Sequence, residues 1–126
     1  MKSLLDKIKN KFKYATLGWL DGLKKDHSIQ IQWGIATLVI LFSFLFPLTK
    51  QEWMIVLLLC FLVIAFEYMN SALEALVDLV SPNYHPFAKK CKDYAAASVL
   101  MISMVAFIIA LIIYVPYIKE MLGGIL

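Results

Sequence analysis

The chain has 126 residues, 62% of them apolar, with a mean hydropathy of +0.78; a soluble domain sits nearer one-half apolar. The net charge is only +3, every cationic side chain except histidine is a lysine, and the cysteines number two. Room for one domain follows, nucleic acid is not an expected partner, and a disulfide framework is excluded, because Cys60 and Cys91 would sit at different membrane depths as free thiols.

Residues 1–25 read as an amphipathic surface helix. Leu4, Leu5, Ile8, Phe12, Ala15, Trp19, Leu20 and Leu23 recur at helical spacing, while Lys2, Lys7, Lys9, Lys11 and Lys13 fall mostly on other faces. That pattern suits a helix lying among the headgroups of an anionic leaflet, the alternative being a soluble coiled-coil stub. A cleavable signal peptide is not expected here, since the segment is charged and lacks an apolar core followed by small residues. The first span is expected over residues 29–49, a stretch free of Lys, Arg, Asp and Glu that can cross roughly 30 Å of hydrocarbon. Pro47, Lys50, Gln51 and Glu52 mark a short turn. A second span, 53–80, opens on Trp53, is apolar to Phe66, then turns polar and stops at Ser81-Pro82. A polar loop with His85, Lys89, Lys90 and Lys92 follows, and a third uncharged span is expected over 94–118.

The lysines set the expected topology. The N-terminal helix and the loop before the third span are both basic, while the 47–52 turn holds one lysine. The positive-inside bias then puts the N-terminus and the second loop in the cytoplasm and the C-terminus outside. The expected fold class is therefore an all-α membrane protein, one surface helix plus three spans in a single domain. So small a bundle buries little alone, and a homo-oligomer is expected.

Chemistry concentrates on the second span. At about 100° per residue, Glu67, Asn70, Glu74 and Asp78 point at about 0°, −60°, −20° and +20°, one narrow face. An acidic residue in a span costs about 2.5–3.5 kcal/mol on insertion scales, so three on one face call for a function. If the helix starts at the outer interface near Glu52, about 20 residues bring it to the inner one near residue 72. Glu67 then lies inside hydrocarbon, while Glu74 and Asp78 lie among headgroups. A lipid hydroxyl would meet the deep carboxylate, and ATP with Mg²⁺ would meet the shallow ones. Phosphoryl transfer to an alcohol needs these parts: a base for the hydroxyl proton, oxygen ligands for Mg²⁺, and a cation near the phosphates. Lys92 beside Asp93 is a candidate for that cation, or else a simple positive-inside anchor. No Gly-x-x-x-x-Gly-Lys loop is present, so an ATP site here is not a P-loop.

The run Glu67-Tyr-Met-Asn70-Ser71-Ala-Leu-Glu74-Ala-Leu-Val-Asp78, then His85-Pro86 and Lys92-Asp93 followed by Ala95, Ala96 and Ala97, closely resembles the small prokaryotic diacylglycerol kinase family, which includes undecaprenol kinases. The match spans about residues 67–99, with Tyr14-Ala15 and Gly18 matching more weakly. The resemblance implies a homotrimer with three spans per chain and active sites shared between neighbours. It implies that Glu67 is the general base, Glu74 a metal ligand, and Asn70 and Asp78 a supporting polar network. Tyr14, Asn83, Tyr84, His85, Lys92 and Asp93 fall where the family contacts ATP. One region departs: the family's glutamate before the first span is Asp26 here, its arginine four residues on is Gln30, and Gln32 stands where Glu or His is common. Asp26 retains a carboxylate for metal, with a shorter reach. The function implied is ATP-dependent, Mg²⁺-dependent phosphorylation of a membrane lipid alcohol, undecaprenol before diacylglycerol. A non-enzymatic membrane oligomer using the carboxylates as a polar seam is the contrasting possibility.

Overall fold

The computed structural model describes residues 3–125; Met1, Lys2 and Leu126, the first two counted above in the surface helix, lie outside the described residues. Those described residues form four helices and no strand: α1 (Leu4–Lys25), α2 (His27–Ser43), α3 (Lys50–Val80) and α4 (Pro86–Gly123).

Ser3 starts α1 with a reciprocal cap. Its hydroxyl accepts the Asp6 N–H at 3.2 Å, and the Asp6 carboxylate accepts the Ser3 N–H at 3.3 Å. Lys24 and Lys25 close the helix at its negative dipole end. No α1 residue is buried, and Leu4, Ile8 and Phe12 are open, which is what a helix made for a lipid interface requires. Asp26 then joins α1 to α2. Its N–H donates to Gly22 O at 2.9 Å and its carboxylate accepts the Ile29 N–H at 3.0 Å. Gln30 braces the same corner, donating from Nε2 to Leu23 O and Lys24 O at 3.1 Å each. These are two of the carbonyls a helix end leaves without partners.

Helix α2 has 17 residues and stops six residues short of the end expected for the first span. Pro47, with fixed φ and no N–H, prevents the helix from continuing, and the N–H groups of Phe44, Leu45 and Phe46 fold back onto carbonyls of residues 41–43. Thr49 restarts the chain: its hydroxyl accepts the Glu52 N–H, and Glu52 accepts the Thr49 N–H at 2.8 Å. Helix α3 ends at Ser81, whose conformation the following Pro82 restricts. Helix α4 starts earlier than the sequence suggests, so residues 86–93, expected as loop, are its first two turns. Pro86 supplies a fixed φ at the first helical position, and His85 Nδ1 accepts the Phe87 N–H at 3.2 Å.

Both α3, with 31 residues, and α4, with 38, are long and apolar enough to cross a bilayer. Only 22% and 6% of their most apolar windows are buried, whereas the core helix of a soluble protein would be mostly covered. The packed centre lies at the end of the bundle remote from the carboxylates. There Phe46, Val56, Ile113 and Tyr114 cluster, and Ser43 Oγ shares a buried 2.5 Å hydrogen bond with Tyr114 Oη. Tyr117 donates to Glu52 at 2.7 Å, tying α4 to the start of α3. Among lipid tails such packing and hydrogen bonds hold helices together in place of the hydrophobic effect.

Candidate active site

The α3 face expected from helical periodicity exists, and its burial is graded along the helix. Glu67 is 6% and Asn70 9% exposed, while Glu74 and Asp78, further along, are open. Asn70 Nδ2 donates to Glu74 Oε1 at 3.2 Å and Asn70 also reaches Glu67, so one amide links the buried and the open carboxylate. Asn70 Oδ1, on the other side of the amide, is buried without a partner. An orphaned buried acceptor costs about 1–3 kcal/mol and marks a place where a further donor or cation fits.

Asp26 approaches from the α1–α2 corner. The Ser71 hydroxyl on α3 reaches its carboxyl, and Glu67 lies within electrostatic reach of both Asp26 and Glu74. Burial pushes the Asp26 carboxyl up, but hydrogen bonds from Ser71, Ile29 and Ser28 outweigh it and hold the group below its ordinary value. Asp26 is therefore an anion at neutral pH, although two other carboxylates are near. Gln32 on α2 also reaches Glu67.

A second, polar cleft of about 390 Å³ opens where α3 ends and α4 begins. It is lined by Asp78, Asn83, Tyr84, His85, Lys92 and Asp93, six of the residues singled out in the sequence. Lys89, which the sequence shows only as one of several loop lysines, lines it too. Lys92 Nζ pairs with Asp78 across the helices and Lys89 Nζ pairs with Asp93 one turn on, each at 2.5 Å. The Asp78 carboxylate holds the Lys92 ammonium above its ordinary value, with Glu74 adding to the effect. Lys92 thus stands between the cleft and the carboxylate face. Tyr14 does not join either group within one chain; it is 66% exposed on α1.

The donor set suits a hard divalent cation in kind. Asp26, Glu67, Glu74 and the spare Asn70 Oδ1 all offer oxygen atoms. Among the described residues, no three His, Cys, Asp or Glu side chains converge closely enough to cage a metal unaided. Mg²⁺ needs no such cage, since it keeps several waters and takes one or two carboxylates together with substrate phosphates.

With this geometry in place, comparison with known proteins is informative. A family model described as Prokaryotic diacylglycerol kinase matches residues 13–114. The chain belongs to the prokaryotic diacylglycerol kinase family. Similar relatives include an undecaprenol kinase of Bacillus subtilis, 33% identical over 89% of this chain and 91% of that one. A diacylglycerol kinase of Pseudomonas aeruginosa is 30% identical over 75% of this chain and 76% of its own length. A diacylglycerol kinase of Helicobacter pylori is 44% identical over a shorter stretch, 40% of this chain and 39% of that one. The protein is accordingly a lipid kinase of the membrane, and the non-enzymatic alternative falls away.

Reasoning from the sequence named Gln32 only as a departure from the family pattern, and gave Ser71 and Lys89 no role in the site. Lys89 carried a legible signal, its four-residue spacing from Asp93. Ser71 and Gln32 act across helices, which no spacing within one segment reveals.

Proposed function

We propose that this kinase transfers the γ-phosphate of ATP to undecaprenol at the cytoplasmic interface of the bacterial inner membrane. The observation that carries the reading is the buried Glu67, two helical turns from an open Glu74, with Asn70 between them reaching both. Glu67 takes the hydroxyl proton as the lipid oxygen attacks phosphorus, and ADP leaves toward the cleft that holds Lys92. Lys92 and Lys89 are the cations available to the phosphates once they exchange their aspartate partners. Asn83, Tyr84, His85 and Asp93 hold the rest of the nucleotide, and Tyr14 contributes from α1. Asp26 and Glu74, with Asn70 Oδ1, are the residues that would hold Mg²⁺. Bound there, the ion would neutralise charge on the phosphate oxygens and orient them.

The acceptor is argued from the apolar side. Between α2, α3 and α4 lies a cavity of about 390 Å³ lined by Ile35, Val39, Val56, Leu59, Val63 and Ile113, with Gln32 at its rim. Gln32 also reaches Glu67, so the cavity leads away from the base. An apolar lining suits a polyprenyl tail, which carries no ester groups to recognise. The likeness to the Bacillus subtilis undecaprenol kinase over most of both chains supports the same choice. One feature favours diacylglycerol instead: Trp33 Nε1 is a buried donor without a partner, which an ester carbonyl would satisfy.

The working assembly in this reading is a homotrimer, each chain having three spans, a cytoplasmic N-terminus and an external C-terminus. The 17 residues of α2 give about 26 Å of helix, close to the hydrocarbon thickness. The acceptor is tested by initial rates of the purified protein with labelled ATP and both lipids in one mixed-micelle assay. Undecaprenol is expected to be phosphorylated faster; a clear preference for diacylglycerol would overturn the acceptor and leave the kinase standing.

A further inference from the structure

Tyr68 of α3 meets helix α1 at two points, the Trp19 carbonyl and Gly22. Its hydroxyl donates to Trp19 O at 2.7 Å, on the last turns of α1. Its ring lies against Gly22 so closely that a Cβ at that position would overlap it. Trp19 in turn stacks on Trp33 of α2 at 5.9 Å, and Trp33 meets Phe61 of α3 edge-on at 5.8 Å. The end of α1 is thus held from two sides, by a tyrosine hydrogen bond and by an aromatic ladder.

What this clamp holds is the Asp26 corner. Asp26 hangs from Gly22 O by its own N–H, one residue turn from the Tyr68 ring. Its carboxylate is fixed by Ile29 N–H, and Ser71 reaches it from the turn of α3 that follows Tyr68. Tyr68 itself is the neighbour of Glu67 but takes no part in the chemistry assigned to that face. We propose that Tyr68 is a positioning residue that holds α1 against α3 and so sets Asp26 at the correct distance from Glu74 to share a divalent cation. The proposal rests on reading Asp26 as a metal ligand. It explains why position 22 is glycine, since the ring needs the space a side chain would fill. It also shows how a short aspartate serves at a corner: the backbone carrying it is brought in and pinned.

The test uses the full chain in lipid bicelles with ATP present. Binding of Mn²⁺ is counted from the loss of the free-ion paramagnetic resonance signal, and the Mg²⁺ concentration for half-maximal rate is measured in parallel. Tyr68→Phe removes only the hydroxyl. It is expected to weaken Mn²⁺ binding and raise the Mg²⁺ requirement, each by about two- to tenfold, the worth of one neutral hydrogen bond, with kcat at saturating Mg²⁺ nearly unchanged. Gly22→Ala keeps the hydroxyl but forces the ring aside, and is expected to shift both quantities in the same direction. Tyr117→Phe deletes an equivalent tyrosine hydrogen bond, to Glu52, at the far end of the bundle and is expected to shift neither. Equal shifts in Tyr68→Phe and Tyr117→Phe would overturn the proposal, as would unchanged Mn²⁺ binding in both Tyr68→Phe and Gly22→Ala. Undiminished Mn²⁺ binding by Asp26→Asn would instead overturn the ligand reading beneath it, so the two failures are told apart.

Discussion

Replacing Glu67 by glutamine separates chemistry from folding. The side chain is 6% exposed, and Gln32 and Asn70 both reach its carboxyl. An amide of the same shape keeps one acceptor oxygen for the hydrogen bonds those two neighbours donate. It also offers an N–H to Asn70 Oδ1, which has no partner in the native chain. One satisfied hydrogen bond is worth about 1 kcal/mol net. The charge removed at depth is one that insertion scales put at about 2.5–3.5 kcal/mol for an acidic residue, and its repulsion with Asp26 and Glu74 disappears with it. The folded state of Glu67→Gln is therefore expected to be as stable as the native one or more so. The reaction, in contrast, loses its base. General bases contribute about 10²- to 10⁴-fold, or roughly 3–5.5 kcal/mol at 1.36 kcal/mol per decade. The assay pairs steady-state transfer to lipid with a binding titration of a fluorescent ATP analogue and a thermal melt in detergent. Expected are a rate lower by that factor, nucleotide affinity close to native, and an unchanged or raised Tm. Turnover within about tenfold of native, below the least a base contributes, would refute Glu67 as the base. Lost nucleotide binding with a lowered Tm would refute the packing argument.

Glu74→Ala removes the open carboxylate that Asn70 holds at 3.2 Å and is expected to raise the Mg²⁺ requirement for ATP use, read from a metal titration of the rate. Gln30→Arg, which restores the residue usual in the family, is expected to leave activity intact or improve it, because a guanidinium can still donate to Leu23 O and Lys24 O; an inactive but well-folded variant would count against the register used for that region. Ser43→Ala strands the 7% exposed Tyr114 hydroxyl, whereas Tyr114→Phe leaves Ser43 bonded to Val39 O at 2.7 Å, so the first is expected to cost about 1–3 kcal/mol and the second nearer 1 in denaturant titrations. Asp26 has its folded pKa held below the ordinary 3.8, so its contribution to stability is present above that pH and is lost as pH falls through the folded pKa. The near-ultraviolet signal of the Trp19–Trp33 stack should hold through neutral and mildly acidic pH and fade only below that value, and Asp26→Asn should flatten the change.

Features with a period were open to reading from the sequence. The four polar groups on α3 repeat near 3.6 residues, and they share one face on which Glu67 and Asn70 are buried and Glu74 and Asp78 are open. Residues from α3, the following turn and the start of α4 meet in one cleft because they adjoin a single turn, so Asp78, Asn83, His85 and Lys92 could be grouped from order alone. The start of α4 was hidden because lysines between 89 and 92 look like loop, although Pro86 behind a capping His85 is a start signal. Contacts between helices left no trace in either segment. The bond of Tyr68 to Trp19 spans 49 residues and that of Ser43 to Tyr114 spans 71, and neither pair shows a spacing that betrays it. Gln30 looks like a lost charge when set beside a family pattern; as a cap for the last carbonyls of α1, it has a structural reason of its own.

The length of α4 has a mechanical consequence. It runs unbroken from Lys92 at the cleft to Tyr114 in the opposite core, about 33 Å at 1.5 Å per residue, and its internal proline, Pro116, comes only after that. Over this distance it behaves as a stiff lever with one end anchored by Ser43 and the other gripping Asp78 through Lys92. Apolar helices answer a change in hydrocarbon thickness by leaning. A tilt of α4 about its anchored end would move Lys92 sideways relative to α3, at the polar cleft the two helices share.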